Sequence, residues 1–238
     1  MSTQLLSIAV LVLLSAPSPA AASSQQNVTF KTEDGVSIAG TLYLPGRPAP
    51  AVVLLHMQTR SREDWQVLGQ KLADAGIVAL AIDLRGHGAS DSAPPPGSGS
   101  PHSAMQLDIK AARAFLAARP DVIGGRVGLA GASIGANLAV LAAAGDPSVR
   151  SLALLSVGLD YRGLRTEAAL NRYGSRPALL VARQEDNYAM ISMRRLLGHG
   201  TGTREQLVLD GAGHGTVMLA RQPDIAATLV DWFRRTLL

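Results

Sequence analysis

Six short and nearly uninterrupted apolar runs recur along the 238-residue chain: PAVVLLH (50–56), GIVALAIDL (76–84), GRVGLAG (125–131), SLALLSVG (151–158), PALLVA (177–182) and EQLVLD (205–210). A strand with one wet face alternates apolar and polar residues. A run that stays apolar has both faces covered, as in a parallel sheet. Parallel neighbours cannot be joined by a tight turn and need a crossover, usually a helix. The stretches SREDWQVLGQKLADA, SAMQLDIKAARAFLAA and DIAATLVDWFRRTL lie between or after the runs, each with the apolar spacing of an amphipathic helix. Upstream, NVTFKT and VSIAGTLYLP alternate enough to form a hairpin around Glu33-Asp34-Gly35. The expectation is an α/β layered fold: a mostly parallel central sheet, an N-terminal antiparallel hairpin and helices on both faces. With 47% hydrophobic and 17% charged residues, the chain can build one sizeable core. A single domain over residues 23–238 is expected, without internal repeats.

Residues 1–22 read differently. An apolar run from Leu5 to Leu14 is followed by SAPSPAAASS, whose small residues suit cleavage near Ala20 or Ala22. The run is too short to span a bilayer and has the form of a secretory signal peptide. Export to the periplasm or the medium is therefore expected. The n-region carries no Lys or Arg, so an uncleaved anchor is the alternative, and the absence of cysteine excludes a lipoprotein anchor.

Several chemistries fall away on composition. Without cysteine there are no disulfides, thiolate metal sites or cysteine nucleophile. The net charge is +4, but the arginines are scattered and no aromatic residues interleave with them, so no nucleic-acid partner is expected. The chain has no H-E-x-x-H, no phosphate-binding P-loop and no G-x-G-x-x-G, so neither metal nor organic cofactor is expected. Oligomeric state is not legible.

The positive signal is Gly131-Ala132-Ser133-Ile134-Gly135, a G-x-S-x-G placed between an apolar strand and an apolar helix. That is the spacing of a nucleophile elbow. A serine hydroxyl needs a histidine to take its proton and a carboxylate to orient the histidine. In a parallel sheet these groups gather at the carboxyl ends of the strands. Of the five histidines, His199 precedes a strand, His102 starts a helix, and His56 and His87 lie upstream of the serine. His214 alone follows both a strand and Ser133. Among the carboxylates between them, Asp186 ranks first, four residues beyond PALLVA. Asp160 ranks second and Glu185 third. Asp210 is too near His214 and more suited to shaping a turn.

The order Ser133…Asp186…His214, with DLRGHGASD (83–91) and GAGHG (211–215), resembles the α/β-hydrolase superfamily over nearly all of the chain beyond the leader. The likeness is to small esterases and dienelactone-hydrolase-like members, with serine in place of cysteine. It implies a serine hydrolase acting on a small-molecule ester: Ser133 as nucleophile, His214 as base, Asp186 as its orienting acid. It also implies an oxyanion hole from the backbone N–H groups of Ile134 and Gln58. A peptidase or amidase of the same fold, and a non-catalytic binding module on that scaffold, are the alternatives. Two positions depart from the pattern. His56-Met57-Gln58 replaces the usual His-Gly, and Arg183 stands where the acid loop usually begins with glycine; it either reaches the pocket and favours an acidic substrate or points to solvent. Between Val157 and Pro177 there is room for one short helix, so no large cap is expected. The loop SAPPPGSGSP (92–101) should be irregular and able to shade the pocket.

Overall fold

The computed structural model describes residues 22–92, 101–211 and 213–238. The apolar leader and residues 93–100 of the proline-rich loop lie outside the described residues. Eight strands form one sheet: β1 (Ser24–Lys31), β2 (Ser37–Leu44), β3 (Ala49–Leu55), β4 (Val78–Ile82), β5 (Val122–Ala132), β6 (Val149–Leu155), β9 (Ala178–Arg183) and β10 (Arg204–Leu209). Their spatial order is β1-β2-β4-β3-β5-β6-β9-β10. β1 and β2 form the expected antiparallel hairpin, with Ser24 opposite Leu44 and Lys31 opposite Ser37. β2 runs antiparallel to β4, and every pair from β4 to β10 is parallel.

The fully apolar strands sit where both faces are covered. Val53 and Leu55 of β3 face one core layer, while Val52 and Leu54 face the other. The first layer is closed by α2 (Pro101–Ala117), α3 (Ile134–Ala144), α4 (Glu167–Tyr173) and α5 (Asn187–Leu196). The second is closed by α1 (Gln66–Asp74), α6 (Val217–Arg221) and α7 (Asp224–Leu237), with Trp232 and Phe233 fully buried. A short 3-10 turn, Arg62–Trp65, leads into α1 and buries Trp65.

Boundaries shift in two informative places. The run 151–158 stops being strand at Leu155, because Ser156 takes a left-handed φ of 50° and turns the chain away. The segment after it holds α4 and also a small hairpin, β7 (Asp160–Tyr161) with β8 (Leu164–Arg165), turned through Arg162 and Gly163 at positive φ. No cap is inserted there. No helix among the described residues is long and apolar enough to cross a membrane.

Candidate active site

The G-x-S-x-G turn has the geometry its glycines allow. A Cβ on Gly135 would lie 2.4 Å from the Leu55 carbonyl oxygen and 2.6 Å from that of His56, and one on Gly131 would lie 2.2 Å from the Gly135 carbonyl. Bare backbone at both positions lets α3 start directly against the ends of β3 and β5. Ser133 is thereby held at φ 51°, ψ −117°, outside the comfortable regions for a side-chain-bearing residue. Strain of this kind costs about 1–3 kcal/mol and persists only where the surroundings impose it. Here the Ser133 N–H is fastened to the Leu155 carbonyl at 2.8 Å, across the neighbouring strand.

Three side chains meet at this edge. His214 Nε2 is 2.9 Å from Ser133 Oγ, and His214 Nδ1 is 2.5 Å from Asp186 Oδ2. With Nδ1–H donating to the carboxylate, Nε2 is free to accept the serine proton. Asp186 is also the N-cap of α5, its Oδ1 accepting from the Ala189 N–H at 3.2 Å. One carboxylate oxygen is therefore fixed by a helix while the other holds the imidazole. Its side chain is 15% exposed against 50% for His214, so the acid is sheltered and the base is open to a substrate.

The competing carboxylates are occupied elsewhere. Asp160 accepts from the Gly163 N–H at 2.7 Å and from Arg165 Nε at 3.1 Å, closing the small hairpin. Glu185 lies 3.6 Å from Arg183 Nε, so the arginine of the acid loop faces its own neighbour. His199 and His87, each also flanked by glycines, are engaged elsewhere. His199 contacts Asn171 and Glu167 at 3.2 and 3.3 Å, and His87 packs its ring on His56 with centroids 5.0 Å apart.

The two expected oxyanion donors are available. Neither the Ile134 nor the Gln58 N–H donates to another backbone group among the described residues. Ile134 opens α3, where first-turn N–H groups have no partner within the helix. The peptide before Gln58 is oriented from its other end: the Met57 carbonyl accepts from His56 Nδ1 at 2.8 Å and from the Arg60 N–H at 3.2 Å. In a trans peptide the N–H points opposite to the C=O, so these bonds turn the Gln58 N–H away from His56. His56 does this as a neutral ring. It is fully buried, its Nε2 accepts from the Leu84 N–H at 3.0 Å, and burial pushes its pKa down to about 4. Met57, which replaces the glycine of the usual His-Gly, lays its side chain against Gly215, next to His214.

Sequence reasoning missed several supports. Thr216 donates through its hydroxyl to Asp64, which also pairs with Arg60. Burial would raise the Asp64 carboxyl, but these hydrogen bonds together with the charge of Arg60 and the nearby His56 outweigh it and hold the pKa below the ordinary value. Asn137, one turn into α3, donates to the Leu164 carbonyl at 2.8 Å and accepts from the Gly158 N–H at 2.9 Å, anchoring the small hairpin beside the nucleophile helix. A lone asparagine inside the apolar helix IGANLAVLAAA was the visible signal for it. Among the described residues no group of three or more His, Asp or Glu is placed to hold a metal ion.

Comparison with known proteins gives the family and the fold. The family model described as serine aminopeptidase, S33, matches residues 46–200. A putative phosphoribosyl transferase of Mycobacterium tuberculosis is 29% identical over 207 residues, covering 83% of this chain but 44% of its own length. The chain thus spans less than half of that curated relative. Among solved structures, dienelactone hydrolase from Anabaena variabilis superposes with a TM-score of 0.74 at 20% identity, covering 91% of this chain and 99% of its own. An esterase from Pyrococcus furiosus gives 0.74 at 19% identity, with 90% and 92% covered. At these identities the likeness is one of fold.

Proposed function

Because this chain belongs to the α/β-hydrolase family described as serine aminopeptidase, S33, we propose that it is a serine hydrolase cleaving a small-molecule carboxylic ester. The observation that carries the proposal is the pair of contacts made by one imidazole, 2.9 Å to Ser133 Oγ and 2.5 Å to Asp186 Oδ2. In this mechanism Ser133 Oγ attacks the acyl carbonyl carbon and its proton passes to His214 Nε2. Asp186 holds the ring in the required tautomer and stabilises the imidazolium. The negative charge that develops on the carbonyl oxygen is received by the N–H groups of Ile134 and Gln58, with the N-terminal end of α3 adding its dipole. The C–O bond then breaks, and the leaving alkoxide takes the proton from His214. A water, deprotonated by the same histidine, attacks the acyl-enzyme and releases the acid. No step requires a cofactor.

The family description favours a second reading, aminopeptidase action on a peptide. An aminopeptidase needs a group to receive the substrate's α-ammonium. Three candidate carboxylates are already committed: Asp64 to Arg60 and Thr216, Asp160 to Arg165, Glu167 to Arg195. With those carboxylates already paired, they are poor receivers of an α-ammonium group, which supports the ester. Hydrolysis of p-nitrophenyl esters of graded acyl length, beside aminoacyl p-nitroanilides, tests the choice. Ester turnover lost in Ser133→Ala supports the proposal, whereas anilide turnover exceeding that of every ester would replace it by the peptidase.

The proposal includes export through the leader. N-terminal sequencing of protein recovered from the periplasm or medium should begin at residue 21 or 23. Retention in the cytoplasm with residue 1 or 2 first would contradict it.

A further inference from the structure

The carboxyl end of β6 holds three parts of the site together. The Leu155 carbonyl accepts from the Ser133 N–H at 2.8 Å. The next residue, Ser156, donates its own N–H at 2.8 Å to the Val181 carbonyl of β9, the strand that leads to Asp186. The Ser156 hydroxyl oxygen accepts at 3.0 Å from the N–H of Gly215, the residue after His214. Ser156 is 3% exposed, and its φ of 50° is one that non-glycine residues seldom adopt. A strained, buried polar side chain spent on one loop N–H is an arrangement the surroundings must maintain.

Gly215 is where that hydroxyl has leverage. A Cβ there would lie 2.6 Å from Met57 Sδ and 3.5 Å from Ala132 Cβ. Met57 precedes Gln58 and Ala132 precedes Ser133, so the histidine loop is pressed against both the oxyanion turn and the nucleophile turn. Gly211, Gly213 and Gly215 of this loop all sit at positive φ, a conformation that glycine adopts without a Cβ penalty.

We propose that Ser156 is a positioning residue for His214: through the Gly215 N–H it fixes the imidazole at the one place from which it reaches both Ser133 and Asp186. It touches no substrate. The inference rests on the triad reading above. Misplacement of a reacting group by about 1 Å costs on the order of 10²-fold in rate, and a drift of the loop would act on kcat rather than on substrate binding.

The test uses Ser156→Gly, which accepts the left-handed φ while deleting the acceptor, and Ser156→Ala as a second variant should the first not fold. Active sites are titrated with a fluorophosphonate so that kcat refers to competent enzyme. The hydrogen-bonded Nδ1 proton of His214 is followed by NMR as a readout independent of turnover. The expected result is a kcat per titrated site lower by about 10- to 100-fold, KM within about twofold of wild type, and a shifted or broadened Nδ1 proton signal. A kcat per site within twofold of wild type, with that signal unchanged, would overturn the positioning role and leave the triad standing. A wild-type enzyme that the fluorophosphonate does not label would instead overturn the triad reading itself, and this inference with it.

Discussion

Two turns at the same edge of the sheet look equally suggestive in sequence: residues 83–91, DLRGHGASD, and the loops that carry Ser133, Asp186 and His214. They prove to be opposites. Asp83 is fully buried and its carboxylate is saturated, by the Arg62 N–H at 2.7 Å, the Arg62 guanidinium and the Ala89 N–H at 2.8 Å. Arg85 is divided between Asp108 at 2.8 Å and Asp34 at 2.7 Å. Ser90 donates to the Asp83 carbonyl and accepts from the Ala39 N–H, stitching the turn onto β2. Each of the charged residues there, Asp83, Arg85 and Asp91, has a protein partner, so the charge of the turn is spent on the fold. The triad loops and the adjoining turn at Gln58 leave capacity unspent: a half-exposed imidazole, a strained serine, and two backbone N–H groups with no backbone partner among the described residues. Buried charge with full satisfaction marks architecture, and directed, incompletely used hydrogen-bonding groups mark chemistry.

Substitutions should separate the two classes cleanly. Ser133→Ala should lower kcat by at least about 10³-fold and by as much as about 10⁶-fold, with an unchanged unfolding midpoint, because triad members act as a unit. Activity within tenfold of wild type would break the contrast at its strongest point. Asp186→Asn should cost up to about 10⁴-fold by stabilising the wrong histidine tautomer. Asp160→Asn and Glu185→Gln, measured on the same ester, should stay within about threefold, since neither carboxylate faces His214. A larger loss in Asp160→Asn would move the acid to the segment after β6.

The architectural turn should fail in the other currency. Asp83→Ala leaves Arg62 without its buried partner and should destabilise the fold by about 3–5 kcal/mol in urea unfolding. Whatever fraction stays folded should keep near-normal kcat per titrated site. Loss of kcat without loss of stability would make this turn part of the chemistry.

The smallest expected effect is on pH dependence. His56 has a pKa of about 4 when folded, held down by burial, against an ordinary value of 6.5. As pH falls from 6.5 towards 4, the unfolded chain takes the proton and the folded chain does not. Stability is therefore complete above that window and declines through it, by about 3 kcal/mol in all. Asp34, held down to about 2 chiefly by its hydrogen bond to Arg85, extends the loss below pH 4. Urea unfolding at pH 7, 5.5 and 4 reads the slope, and His56→Asn should flatten it between the first two values. An equally steep slope in that variant would show that His56 is not its source.

The fold was legible because its strongest signal, continuous apolar runs joined by amphipathic helices, depends on burial, and burial is written in residue type. The meeting of Ser133, Asp186 and His214 was legible because a parallel sheet gathers the residues after its strands at one edge. What escaped was contact between residues with no local signature. Thr216 and Asp64 lie 152 positions apart, and a serine after a strand, like Ser156, is ordinary until its φ and its bond to Gly215 are seen. Asp160 could not be set aside from sequence either, because a hairpin of two-residue strands has no periodicity to read.

The central claim, that Ser133 is an activated nucleophile, is tested most directly by mass spectrometry of protein treated with a fluorophosphonate. The account predicts one adduct per chain, on the peptide containing Ser133, abolished in Ser133→Ala and slowed by orders of magnitude in His214→Ala. An unlabelled wild-type protein, or an adduct that persists in Ser133→Ala, would contradict it.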